Sequence, residues 1–181
     1  MSKDPAKAAK RQQWIDGADN RIKEGLELLR HPKPKEDWHI FEGSTQPDVY
    51  LETEELIVVI EGKRTEHGPT TKTKWMNGRH QMLRHIDCAW EIRGHKKVVG
   101  FFIVESLNDT ADVPDAWLEH EVDALSNTSV SSSLPHRGPE EQLKIATCFT
   151  GVTTWRKICE EFKDFGLSYQ GLPETTDALG E

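Results

Sequence analysis

The chain has 181 residues, with 31 acidic against 23 basic side chains and a formal net charge of −8. This length suits one domain with a real core and leaves little room for two. With 35% hydrophobic residues and a mean hydropathy of −0.67, no apolar run reaches a membrane span, and loops or tails outside a core are expected.

The first dozen residues are polar and basic. Trp14 to Arg30 reads as a helix, because Ile15, Ala18, Ile22, Leu26 and Leu29 recur at steps of three and four. His31-Pro32-Lys33-Pro34 ends it, since proline cannot continue the hydrogen-bond ladder. Trp38 to Phe41 is a short strand candidate, and Gly43 to Pro47 is turn-rich. Asp48 to Leu51 is a second strand. After a polar turn, Leu56-Ile57-Val58-Val59-Ile60 is a third. Five apolar residues in a row predict burial on both faces and a central place in a sheet.

Arg64 to Lys72 reads as a loop with Gly68-Pro69. A helix is expected from about Thr73 to Trp90, and Lys97 to Val104 is a strong fourth strand. Pro114 fits the first turn of a short helix ending near Leu125. Ser126 to Ser133 is low in complexity and reads as flexible. Leu143 to Phe149 alternates like a strand, although Glu140-Glu141 upstream leave a helix open. Thr153 is a candidate cap for a last helix bearing Trp155, Ile158, Cys159 and Phe162. The expected layout is one domain over 1–165 with its core at about 14–104, then a flexible tail over 166–181.

The chemistry gathers at the end of the third strand. LIVVI runs into Glu61-Gly62-Lys63, and strand alternation puts Glu61 and Lys63 on one face. Charged groups at the end of a buried strand need partners, because an unpaired buried charge is costly. If Glu54-Glu55 is a two-residue hairpin tip, Thr53 pairs with Leu56, Leu51 with Val58, and Asp48 with Glu61. The two carboxylates then face each other, within about 5 Å at Cβ. A four-residue tip would set Asp48 opposite Val59 instead. Carboxylates that close repel unless a cation lies between them, and a hard oxygen-ligated ion, Mg²⁺ or Mn²⁺, suits the pair. Such an ion would polarise a phosphodiester, with Lys63 beside it to orient water or stabilise growing negative charge.

Pro47-Asp48, twelve residues and then Glu61-Gly62-Lys63 resembles the motif of the PD-(D/E)xK, or restriction endonuclease-like, nuclease superfamily. The helix–strand–strand–strand–helix–strand order over roughly Trp14 to Val104 is similar to that superfamily's common core. The resemblance implies an α/β fold: a central mixed four-stranded sheet flanked by helices, with C-terminal additions. It implies a divalent-metal-dependent nuclease acting on DNA, with Asp48, Glu61 and Lys63 catalytic and Asp48, Glu61 and the main chain of Gly62 holding Mg²⁺ or Mn²⁺. Some relatives carry a further acid on the first helix, where Glu24 is the candidate here. RecB-type members have a QxxxY motif on the helix after the third strand. Gln81 and His85 stand at those positions, with His in place of Tyr.

Gln81 and His85, four apart on a helix, share a face that is either a site wall or a solvated surface. Lys72, Lys74, Arg79 and Arg84 form the densest basic stretch near the motif and are the candidate nucleic-acid contacts. His80 and Arg84 are expected to face solvent or phosphate. The acidic total runs against nucleic-acid binding, which usually relies on a basic surface, so positive charge must be concentrated. Eight scattered histidines without HExxH, and three cysteines without CxxC, give no structural zinc signal. The cysteines, Trp75, Trp90, Trp117 and Trp155 read as packing. No signal-like start is present, so the cytoplasm is the expected compartment. Two other readings fit the composition: an inactive nuclease-fold module for assembly, as a homodimer or with a protein partner, and an acidic, inhibitor-like binding protein of another fold.

Overall fold

The computed structural model describes residues 46–69, 78–107 and 110–171, together with residues 5, 6, 9, 23 and 27. Of the expected first helix only Lys23 and Glu27 are described, both helical; Glu24, the strand at 38–41, Lys72, Lys74, Trp75 and the chain beyond 171 lie outside the described residues. Among the described residues the elements are β1 (Val49–Glu52), β2 (Leu56–Lys63), α1 (Gln81–Ile92), β3 (Lys97–Val104), α2 (Asp115–Ala124), α3 (Asn127–Ser133), α4 (Pro139–Ala146), β4 (Phe149–Thr154) and α5 (Trp155–Glu161). A 3-10 turn, Lys163–Phe165, follows. The strands form one mixed sheet in the order β1-β2-β3-β4. β1 is antiparallel to β2, and β2, β3 and β4 run parallel. No helix among the described residues is long and apolar enough to cross a membrane.

The hairpin has the two-residue tip expected from the sequence. Leu51 pairs with Val58 and Val49 with Ile60, so the same register carries Asp48 to a position opposite Glu61. Glu54-Glu55 is a poor tight-turn pair, and Thr53 makes up for it. Its backbone N–H donates to the Leu56 carbonyl at 2.8 Å. Its hydroxyl oxygen accepts from the Leu56 N–H at 3.0 Å and the Glu55 N–H at 3.3 Å.

β2 is central, but its two faces differ. Ile57, Val59 and Glu61 are buried, whereas Leu56, Val58 and Ile60 are half-buried. On the buried face they join Val98, Phe102 and Val104 of β3. α1 packs on this face through Met82, Leu83 and Ile86. Gly100 is the contact point: a Cβ there would lie 2.6 Å from Ile86 Cγ1 and 2.9 Å from Met82 Sδ. The Trp117 ring of α2 packs against Phe102, with centroids 5.2 Å apart. β4 reaches this core past a bulge, where Gly151 takes a φ of +105° that favours glycine.

Five expectations change. α1 starts at Gln81 rather than near Thr73, after Gly78 at φ +81° and an extended His80. Ser126 to Ser133 is helical, not flexible. Ser126 Oγ caps α3 by accepting from Ser129 N at 3.2 Å, and Val130 and Ser133 are buried. Residues 143–146 end helix α4, where Pro139 at its start and Glu140 and Glu141 in its first turn outweigh the alternation; the strand begins at Phe149. Thr154, not Thr153, caps α5, accepting from Lys157 N at 3.2 Å and donating to the Ala111 carbonyl at 2.8 Å. Two cysteines lie outside the core, Cys88 exposed and Cys159 half-buried, whereas the half-buried Cys148 packs against it.

α1 is also held from the side away from β2. Asp87 is buried and accepts from Arg137 Nε at 2.8 Å and from Arg79 at 3.1 Å, with His136 Nε2 at 2.9 Å. Burial pushes its carboxyl up, and the neighbouring His136 and Arg137 more than offset this, holding it below the usual carboxylate range. Arg137 extends the network to Glu91 at 2.7 Å.

His80 is buried, not solvent-facing. Its ring lies among Phe102 and Phe149, with centroids at 5.9 and 5.7 Å, and its backbone N–H donates to Ser133 Oγ at 2.9 Å. Burial, reinforced by His120 and opposed by Asp123, lowers its pKa from 6.5 to about 4. The unfolded chain binds this proton below about pH 6.5 and the folded chain only below about 4, so acid favours unfolding across that interval. The full linkage is about 3 kcal/mol. Urea unfolding from pH 7 downward is expected to show this loss, and His80→Leu to flatten it. Equal slopes for both proteins would refute the assignment.

Candidate functional site

The carboxyl end of β2 lies beside the first turn of α1 and the loop over residues 64–69. Ligand sites in open α/β sheets favour the carboxyl ends of parallel strands. Glu61 is 5% exposed and shares its face with Lys63. Lys63 Nζ donates to Glu61 Oε1 at 3.0 Å, and Gln81 Nε2 donates to the same oxygen. His85 Nε2 stands 3.3 Å from Glu61 Oε2, an ion-pair separation. Glu61 Oε2 is buried and has no hydrogen-bond partner among the described residues. The helical spacing of Gln81 and His85 thus delivers both side chains to one carboxylate.

Burial pushes the Glu61 carboxyl up, and the neighbouring His85 and Lys63 more than offset it, so it is held below the ordinary carboxylate range. Its contribution to stability is therefore present above the unfolded carboxyl's titration and is lost as pH falls through the lowered folded value.

Asp48 sits at a bend just before β1, is exposed, and is opposite Glu61 in register. Its Oδ2 accepts from the Gly62 backbone N–H at 2.8 Å. The two carboxylates thus take different partners: Asp48 a main-chain N–H, Glu61 the cationic and amide groups beneath α1. Among the described residues no three His, Cys, Asp or Glu side chains converge as a cluster able to hold an ion. What does suit a cation is the unsatisfied Glu61 Oε2 and the exposed Asp48 carboxylate across the same strand pair.

The basic stretch divides. Arg79 is 4% exposed and ion-paired to Asp87, so it is not part of an exposed cationic surface. Arg84 is half-buried. Nearer the site are groups that sequence reading did not select. Glu66 Oε1 lies 3.9 Å from Lys63 Nζ, and the spacing of three residues was the available signal. Arg64 pairs with Glu105, just past β3, at 3.0 Å. Tyr169 also donates to Glu105, and Arg156 lies 4.3 Å over the Tyr169 ring. The segment to residue 171, expected to be loose, is therefore tied to the ends of β2 and β3.

No family model matches the chain, and no curated protein or solved structure matches it.

Trp155, the first residue of α5, closes the opposite face of β2 at the motif. A Cβ on Gly62 would lie 2.8 Å from Trp155 Cζ2 and 3.6 Å from Asp48 Oδ2. Gly62→Ala is expected to cost about 1–3 kcal/mol in urea unfolding, the usual range for overpacking. In a double-mutant cycle, Trp155→Leu is expected to remove most of that cost. Strict additivity of the two changes would show that the indole is not the obstacle.

Proposed function

We propose that this chain is a divalent-metal-dependent nuclease of the PD-(D/E)xK kind, acting on DNA. The observation that carries the reading is the pairing of Glu61 with Lys63 at the end of a central strand, with Asp48 held on the Gly62 N–H beside it. The order of the described elements supports it: an antiparallel hairpin, a helical crossover, and a parallel strand beside β2. Asp48, Glu61 and the Gly62 carbonyl would hold Mg²⁺ or Mn²⁺, which supplies Lewis acidity to a phosphodiester when bound.

The chain's own residues have separable tasks. Gln81 and Lys63 fix the Glu61 carboxylate through Oε1, and Oε2 faces His85 Nε2 at 3.3 Å. Lys63, only 11% exposed, brings a positive charge to the site at little entropic cost. Such a group stabilises negative charge developing on phosphate oxygens or orients an attacking water. The Gly62 N–H holds Asp48 at the strand edge, where a phosphate can approach from solvent.

A second reading, an inactive module with this fold, is favoured by two observations: the net charge of −8 and the lack of a three-ligand cluster among the described residues. Purified protein incubated with plasmid, single-stranded DNA or RNA in Mg²⁺ or Mn²⁺ separates the two. Asp48→Asn, Glu61→Gln and Lys63→Met are each expected to slow cleavage by about 10²-fold or more, with circular dichroism unchanged. A variant that cleaves at the full rate removes its residue from the mechanism. A wild-type protein that neither cleaves nor shifts its melting temperature with either cation selects the module.

A further inference from the structure

Over residues 161–170 every residue but Tyr169 is exposed, and Gly171 just beyond is half-buried. The chain has no regular structure after the 3-10 turn, which Gly166 ends at φ +79°. Three contacts hold this segment. The Tyr169 hydroxyl donates to Glu105 Oε1. The Arg156 guanidinium lies 4.3 Å over the Tyr169 ring. The Arg64 guanidinium donates to the Gly171 carbonyl and pairs with Glu105 Oε2 at 3.0 Å. Arg64 directly follows Lys63, and Glu105 directly follows Val104, the partner of Lys63 in the β2–β3 register. Residues 167–171 are therefore a strap at the carboxyl ends of β2 and β3, next to the lysine of the candidate site.

The strap presents an aromatic face to one guanidinium and an oxygen acceptor to another. An unpaired nucleotide presents the same two features. Guanidinium planes stack on nucleobases as they do on tyrosine. They bind a phosphate oxygen more strongly than a neutral carbonyl, because both partners are then charged. The Arg64 side chain is 42% exposed, so a phosphate can reach it from solvent. We propose that residues 167–171 are an autoinhibitory strap that single-stranded nucleic acid displaces, a base taking the place of Tyr169 on Arg156 and a phosphate oxygen that of the Gly171 carbonyl on Arg64. The inference rests on the nucleic-acid reading above and names the form of its ligand. Glu105 is the joint: it latches the strap through Oε1 and keeps Arg64 oriented through Oε2.

The test uses the full chain in EDTA, which prevents metal-dependent cleavage, and reads the fluorescence anisotropy of a labelled oligothymidylate of about ten nucleotides and of a duplex of the same length. Tyr169→Ala is expected to bind the single strand at least about tenfold more tightly than the wild type, since a hydrogen bond to a charged group holds the strap by that factor or more. Tyr169→Phe, which keeps the ring on Arg156 and loses only the hydroxyl, is expected to fall between them. Adding Arg64→Gln to Tyr169→Ala should cancel the gain. Equal single-strand affinity for the wild type and both Tyr169 variants overturns the strap and leaves the nucleic-acid reading intact. A gain that survives Arg64→Gln, or is as large for the duplex, overturns it as well. If neither the wild type nor Tyr169→Ala binds either oligonucleotide, this inference and the nucleic-acid reading fall together.

Discussion

A single buried carboxylate sets the terms for this end of the molecule. An ionised group with the exposure of Glu61 is unfavourable unless donors surround it. The chain supplies them from two directions: Lys63 from the same strand, Gln81 and His85 from the helix above. This constrains the structure at three levels. The pleat must put residues 61 and 63 on one face. The crossover from β2 must bring α1 back over the strand it left. The helix must start at a residue that aims 81 and 85 downward, and the positive φ of Gly78 followed by the extended His80 sets that start.

Much of the sheet was legible in the sequence because local and tertiary preferences agree there. Lys97 to Val104 is a strand over the span read from its composition. Pairing arithmetic left two hairpin registers open, and the two-residue tip that the structure adopts looked wrong in its chemistry; what supports it is the Thr53 hydroxyl. The motif residues were legible as a spacing, and the shared face of Gln81 and His85 as a helical offset. That both would reach Glu61 depends on a crossover geometry that no local pattern encodes.

The failures have physical causes as well. Ser126 to Ser133 has weak helix formers throughout, and tertiary burial of Val130 and Ser133 plus a serine cap overrides propensity. Leu143 to Phe149 shows how a seven-residue alternation cannot be told from the end of a helix, since Ile145 is buried under either geometry. His80 and Arg79 read as surface residues because polar types usually are. Their burial reflects partners far along the chain: the Phe149 ring for one, the Asp87 carboxylate for the other. The net charge was read as a surface property, yet Arg79 and Arg137 are paired with the buried Asp87, and Arg64, exposed at the end of β2, is paired with Glu105.

The two clamps on α1 are coupled by the rigidity of the helix itself. Gln81 and His85 grip Glu61 below, while Asp87 is gripped by Arg137 and His136 on the flank. A helix turns about 100° per residue, so any roll that swings His85 away from the strand must also drag Asp87 out of its guanidinium cradle. The connector between α3 and α4, remote in sequence from the motif, therefore acts as a torsional stop. It sets the angular position of the imidazole at the strand end without touching it.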